Sequence, residues 1–481
     1  MKKFRVPLLG LVIAISIAIT GFIVHTPAVG SGGIYYDVKP AINDLQTLAA
    51  DPHSIANPEE LAAVRQYILA RFSGMGIKAG TNPYTVNNWY GEYEINNITA
   101  QIEGEEGNPS VLIMAHYDSA IENLNMEPTL STGMADDGYG VATLLQIAEH
   151  FSSQDVQLVN GIKFLITDSE EVGPLAGSEA EIQHNLSYYE DVSLVINIEA
   201  RGFDGAVFMF QAGQGNAEMI SLLSEASFPV TSSFFSELIA FIPAFTDLSP
   251  FLAQGFSGLN FATVKIKNYH SDEDNLRNLN RETLHHYGIQ IMPIVTEFVS
   301  GGIYSDARYF GNAGMRTYFT LFPDVVISYG NAVQLVLLGL TAALLIVGVI
   351  AARGRENKGF AFRPLLIGIA VNDLVSFASF IMLPGCAYAF VIPNALSAGI
   401  FVLTAYKKTL FAWVLGLVQV LISVIVWGLL IITLYYALEI IGIGVSAFLL
   451  AAAGSGVVPA QMAVYSEAAQ FRTEQAVRCG K

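Results

Sequence analysis

Cysteine is nearly absent from this chain of 481 residues: there are two, Cys386 and Cys479. Everything before Cys386 must therefore hold together without a disulfide framework, and a structural zinc site built from thiolates is excluded there. Basic residues are also few, 24 Lys and Arg against 42 Asp and Glu. Between residues 6 and 325 the imbalance deepens to 12 basic against 37 acidic, a balance of −25. So acidic a segment repels a phosphate backbone, and no nucleic-acid partner is expected. Internal repeats and low-complexity tracts are missing too.

What is abundant is apolar sequence, 52% of the chain, and it is unevenly placed. Residues 6–24 form an uncharged apolar stretch behind Lys2, Lys3 and Arg5. Its length suits a membrane span or the core of a signal, and favours a retained signal-anchor over residues 1–29. From 323 to 458 the chain again reads as membrane. Five spans are expected at 326–351, 365–383, 387–404, 410–434 and 436–453. The basic loops around Arg353–Arg363 and Lys407-Lys408, and a tail at 459–481 carrying Arg472, Arg478 and Lys481, all fall on one side if six helices cross. By the positive-inside rule that side is the cytoplasm. Residues 30–322 are then extracytoplasmic and long enough for one substantial core. Asp373 lies inside an expected span, where an acid is a candidate for function or simply faces a polar bundle interior.

The exported segment alternates strand-like and helix-like runs. Residues 57–72 carry Leu61, Val64, Ile68 and Phe72 at helical spacing after an N-cap-like start, and Ser73-Gly74-Met75-Gly76 stops them. Asn96 to Ile102 alternates as a strand. The pattern predicts an α/β domain, a mixed and mostly parallel sheet flanked by helices.

Several strand-like runs end in residues able to hold a metal. Ile162-Lys163-Phe164-Leu165-Ile166-Thr167 leads to Glu170-Glu171. Adjacent side chains on a regular strand point to opposite faces, so the pair can share a site only where the strand ends and turns. There one carboxylate can bind metal while its neighbour handles a proton. Val111-Leu112-Ile113-Met114 ends in His116-Tyr117-Asp118, where the imidazole and carboxylate can face the same side. Asp136-Asp137, bracketed by glycines, opens a helical run, and by itself serves equally well as an N-cap. Leu194-Val195-Ile196-Asn197-Ile198 ends in Glu199, and the strand-like 261–266 is followed by Tyr269-His270. Mixed imidazole and carboxylate donors suit zinc. Thr246-Asp247 reads either as a substrate-side pair or as a helix cap, and His285 and His286 as packing or surface residues.

The series His-Tyr-Asp-Ser, Asp-Asp-Gly-x-Gly-Val-Ala, Glu-Glu-x-Gly and Tyr-His resembles family twenty-eight of the metallopeptidases over residues 40 to 305. The Glu at 199, where Asp is commoner, resembles the membrane-bound branch, which takes in endoplasmic-reticulum and vacuolar-membrane proteases. The segment between Asp118 and Asp136 is longer than in compact soluble members. The resemblance implies a zinc exopeptidase fold and two Zn2+ per chain, with Asp136 bridging them. Glu171 and His270 would complete one ion, His116 and Glu199 the other. It further implies Glu170 as general base, Asp118 as the group orienting His116, Tyr269 as an oxyanion donor, and a cis bond between Asp136 and Asp137. The expected activity is that of a membrane-anchored aminopeptidase acting on peptides. A glutaminyl-cyclase-like acyltransferase and a non-catalytic receptor or chaperone domain are the alternatives.

Overall fold

The computed structural model describes residues 36–336, apart from 124, 155–156, 174, 200, 234–244, 266–268, 312–313, 323 and 334. The signal-anchor expected over 1–29, the spans from 365 onward, Asp373 and the tail lie outside the described residues. Residues 326–330, placed at the head of the first expected span, lie in a strand instead. Among the described residues no helix is long and apolar enough to cross a membrane.

A seven-stranded sheet carries the domain. In chain order its strands are β1 (Ala79–Asn88), β2 (Gly91–Ile102), β3 (Ser110–His116), β4 (Gly161–Thr167), β5 (Val192–Ile198), β6 (Asp204–Ala212) and β7 (Gly258–Lys265). Their spatial order is β1-β2-β4-β3-β5-β7-β6. The inner four, β4, β3, β5 and β7, run parallel. The outer strands β1, β2 and β6 pair antiparallel. The sheet is thus mixed, with a parallel centre. A separate hairpin joins β8 (Arg316–Phe322) to β9 (Val325–Gly330).

Strands buried on both faces need near-continuous apolar sequence, and β3, β4 and β5 are buried along their whole length. Period-two alternation divides their side chains. Val111, Ile113 and Phe164 enter the main core, while Leu112, Met114 and Leu165 pack on the opposite face with Leu248 and Phe251. The main core is roofed by α1 (Val38–Leu48), α2 (Pro58–Gly74), α3 (Gly138–Ser152) and α7 (Arg281–Ser300). The chain also forms α4 (Ala176–His184), α5 (Ala217–Leu223) and α6 (Leu248–Ala253), of which α6 covers the opposite face. In α2 the buried residues are Leu61, Val64, Ile68 and Phe72, the face read from spacing.

Helices α1, α2 and α3 are tied through one buried acid. Asp44 accepts hydrogen bonds from Arg71 Nε at 2.6 Å, Tyr67 at 2.7 Å and Gln146 at 3.0 Å. The Phe72 ring lies 5.7 Å from that of Phe164, in mid-sheet. Phe164→Ala removes a fully buried ring from close packing. Chemical denaturation should show a loss of about 3–5 kcal/mol.

Parallel pairing also settles where chemistry can sit. His116 is in register with Thr167, and Ile198 with Phe261, so β3, β4, β5 and β7 finish along one edge of the sheet. In an open α/β sheet that carboxyl edge is where ligands bind.

Candidate metal centre

His116 is the last residue of β3. Its Nδ1 lies 3.0 Å from the Asp118 carbonyl oxygen and 3.4 Å from Asp118 Oδ1. A proton on Nδ1 satisfies both contacts and leaves the Nε2 lone pair free to bind a metal. The Asp118 carboxylate also accepts the backbone N–H groups of Glu170 at 2.9 Å and Glu171 at 3.1 Å. One buried acid therefore orients the imidazole and shapes the turn after β4. The far side of that turn is gripped by the β1–β2 hairpin, since Asn88 Nδ2 and Tyr93 OH donate to the Val172 carbonyl at 2.8 and 2.9 Å.

Asp136 stands between two histidines. Its Oδ1 is 3.3 Å from His116 Nε2 and its Oδ2 is 3.4 Å from His270 Nε2. The 136–137 peptide bond is cis, as the family resemblance implies. Asp137 turns away, accepting the His116 N–H at 3.3 Å and capping α3 through Gly140 N–H at 3.0 Å. A Cβ at Gly140 would come within 2.3 Å of that carboxylate, so the cap requires glycine here. The capping role weighed for the acidic pair thus falls to Asp137 and leaves the Asp136 carboxylate facing the two histidines.

Glu171 Oε2 lies 2.9 Å from His270 Nε2. Glu199, just beyond β5, is held by its backbone: its N–H donates to the Phe261 carbonyl, and Tyr287 OH donates to its own carbonyl, both at 2.8 Å. Arg201 Nε lies 3.8 Å from its Oε1, and Asn197 Nδ2 donates to its Oε2 at 3.4 Å. Donor atoms of His116, Asp136 and Glu199 all lie within 4.8 Å of one another, as do those of Asp136, Glu171 and His270. Asp136 belongs to both sets. A third grouping joins His116 with Glu170 and Glu171.

The donors fit a metal. Glu171 Oε1 is buried without a hydrogen-bond partner, and His270 Nε2 and Asp136 Oδ2 meet only at ion-pair distance, without hydrogen-bond geometry. Such groups are costly unless something else satisfies them, and a cation among two imidazoles and three carboxylates does so. The nitrogen and oxygen donor set suits zinc.

Electrostatics describe the metal-free pocket. Burial alone would lower the pKa of His116, yet hydrogen bonds to Asp118 and Asp136 hold it well above the ordinary imidazole value. Burial likewise opposes protonation of His270, but Glu171 and Asp136 raise it to about 10. Glu170 is pushed well up, first by burial and then by the charge of Glu199. Burial lifts Glu199 to about 7 against the pull of Arg201 and His116. Tyr269, stacked on the His270 ring with centroids 3.7 Å apart, is kept protonated by burial and by Asp136 and Glu171.

These shifts predict a pH response on metal removal. Asp274, buried close by, is raised to about 7 like Glu199, against roughly 4 in an unfolded chain. Folded carboxyls then keep protons that the unfolded chain releases, so their stabilisation is lost as pH climbs from ~4 towards 7. His270, at about 10 against ~6.5 unfolded, contributes fully below ~6.5 and loses that contribution on the way to 10. Both windows slope the same way. His286, lowered to about 4 by burial, slopes the other way below ~6.5, so the melting temperature of zinc-free protein should fall from pH 7 to pH 9. Zinc requires ionised carboxylates and neutral imidazoles, so the loaded protein should show a flatter profile.

Sequence reading left some partners unseen. Asn197, the polar interruption of an apolar strand, was the available signal for the Glu199 contact. Asp247 stands at the head of α6 without a side-chain capping bond; its carboxylate accepts the Thr167 hydroxyl at the end of β4 instead. His286 is packing: its Nδ1 accepts the Val207 N–H at 3.1 Å, and its Nε2 lies 3.0 Å from the Phe228 carbonyl.

A mixed α/β sheet thus gathers two histidines and three acids at its carboxyl edge, with Asp136 common to two groups of donors that could hold a metal ion. Residues 97–295 match the model of Peptidase family M28. Among curated relatives it is 28% identical over 315 residues to the vacuolar membrane protease of Clavispora lusitaniae, covering 63% of this chain and 29% of that protein. It is 30% identical over 266 residues to the vacuolar membrane protease of Candida dubliniensis, covering 52% and 27%. The chain thus spans less than a third of the length of these relatives. Among solved structures it is similar to a Zn-dependent exopeptidase from Parabacteroides distasonis, with TM-score 0.46 and 18% identity over 55% of this chain and 98% of that one. It is also similar to Porphyromonas gingivalis glutaminyl cyclase, with TM-score 0.46 and 18% identity over 55% and 99%.

Proposed function

We propose that this protein is a membrane-anchored exopeptidase holding two zinc ions, and that it removes residues from peptides with a free N-terminus. The observation that carries the reading is Asp136, whose two oxygens face His116 at 3.3 Å and His270 at 3.4 Å. Zinc bound by His116, Asp136 and Glu199 and by Asp136, Glu171 and His270 would polarise the scissile carbonyl and make an attacking water more acidic. Glu170 takes the proton from that water and delivers it to the leaving amine. Burial and the charge of Glu199 raise its pKa above the ordinary carboxylate value, the direction that favours holding the proton it takes. The Tyr269 hydroxyl, kept protonated, donates to the oxyanion. Asp118 fixes the His116 ring and the backbone of Glu170.

The balance of −25 between residues 6 and 325 suits a solvated domain first and is compatible with a cationic α-amine. The experiment is a panel of free and N-blocked peptides offered to the purified, zinc-loaded full chain. Release of N-terminal residues from the free peptides alone supports the reading. Cyclisation of N-terminal glutamine without peptide hydrolysis would replace it with an acyltransferase.

Anchoring and orientation belong to the same proposal. The basic loops in the sequence support a catalytic domain outside the cytoplasm and a C-terminus within it. Protease added outside sealed vesicles should digest the domain and spare a tag placed after Lys481. Loss of the tag with survival of the domain would reverse the orientation.

A further inference from the structure

We infer that Asp274 is a positioning residue which welds the His270 loop to the Asp136 segment and so sets the spacing of the donors shared by the two metals. The inference rests on the two-zinc reading above. Asp274 is almost fully buried, 3% exposed. Its Oδ1 accepts the Ala135 N–H at 2.8 Å, and its Oδ2 accepts the Asp136 N–H at 3.2 Å and the Ser131 hydroxyl at 3.3 Å. Its own carbonyl accepts the Thr132 N–H at 3.0 Å and the Thr132 hydroxyl at 3.1 Å. One residue thereby closes five hydrogen bonds onto the segment 131–136.

The two joined segments bear the metal donors. Asp136 receives one of those bonds on its own backbone, while His270 lies four residues before Asp274. Two residues nearer to His270, Asp272 accepts the Leu130 N–H at 2.7 Å and the Thr129 hydroxyl at 2.9 Å. The contact of His270 Nε2 with Asp136 Oδ2, 3.4 Å, thus spans two loops about 134 residues apart in sequence whose relative placement these bonds fix. His270 itself has φ of +51°, a left-handed conformation that a non-glycine residue keeps only where its surroundings over-determine it. A carboxylate accepting two successive backbone N–H groups cannot be copied by an amide. Asparagine keeps one acceptor and turns an NH2 group towards the other N–H.

The test compares Asp274→Asn with wild type as full chains, by chelator competition for zinc, well below the melting temperature. Partners that orient metal ligands typically carry ~10–100-fold in metal affinity, and a loss of that size is expected, with KM for peptide little changed. Excess zinc should restore much of the turnover. A purely structural role would lower the melting temperature of zinc-free protein and leave the zinc affinity of the folded fraction at the wild-type value, which would overturn the inference. Should Asp274→Asn fail to fold, Ser131→Ala removes the hydroxyl's bond to Asp274, together with the one it accepts from the Gly133 N–H at 3.2 Å, and keeps the carboxylate. It should weaken zinc by roughly threefold to tenfold, the worth of the bond to Asp274, and unchanged affinity would count against the weld. A wild type that binds a single zinc would refute the two-metal reading alone. The variants would then be judged on that one ion, since Asp136 belongs to both donor sets.

Discussion

Glu170→Gln is expected to cut turnover by ~10²–10⁴-fold, the range for a lost general acid or base, while bound zinc stays at the wild-type level. The two adjacent acids occupy different places. Glu171 faces His270 at 2.9 Å and shares a donor set with Asp136, whereas Glu170 belongs to neither set that contains Asp136. Both backbone N–H groups rest on Asp118, so the substitution leaves the turn intact. Glutamine is nearly isosteric but cannot take a proton. Metal analysis beside steady-state kinetics reads both quantities. Wild-type turnover would remove Glu170 from the chemistry, and concurrent loss of zinc would exchange its role with that of Glu171.

His116→Ala should strip one zinc preferentially and lower turnover by at least ~10²-fold, since residues one layer further from the metal already cost ~10–100-fold. The expectation follows from the division of donors. His116 groups with Asp136 and Glu199, while Asp136, Glu171 and His270 remain together without it. Glu199 has one more methylene than the aspartate commoner in the family, so the ion leaning on it is the weaker candidate to survive. Equal loss of both ions would show that the sites fill as a unit.

Much of this site was legible before any coordinates, and for a physical reason. A parallel sheet buried on both faces needs apolar strands, and its donors must then appear where each apolar run stops. His116 ends β3, Glu170 and Glu171 follow β4, Glu199 follows β5, Asp136 precedes α3, and Tyr269-His270 follow β7. Chain order and hydropathy therefore carried the positions. They could not carry contacts between loops. Asp274 has no periodic pattern, and its partners lie 138 to 143 residues away. The grip of Asn88 and Tyr93 on Val172 depends on where a hairpin tip lands, and β1 itself, broken by Pro83 and polar residues, gave no alternation to read. The start of β9 reads as membrane because Val325 to Ile327 is apolar, yet it pairs with β8. Hydropathy alone does not separate a strand from the head of a span.

The central claim is that Asp136 is shared by two metal ions. Zinc content of the purified full chain, titrated to saturation and measured by elemental analysis, tests it most directly. Sharing of Asp136 requires two zinc ions per chain in the wild type. One ion per chain at saturation, or none, would contradict it.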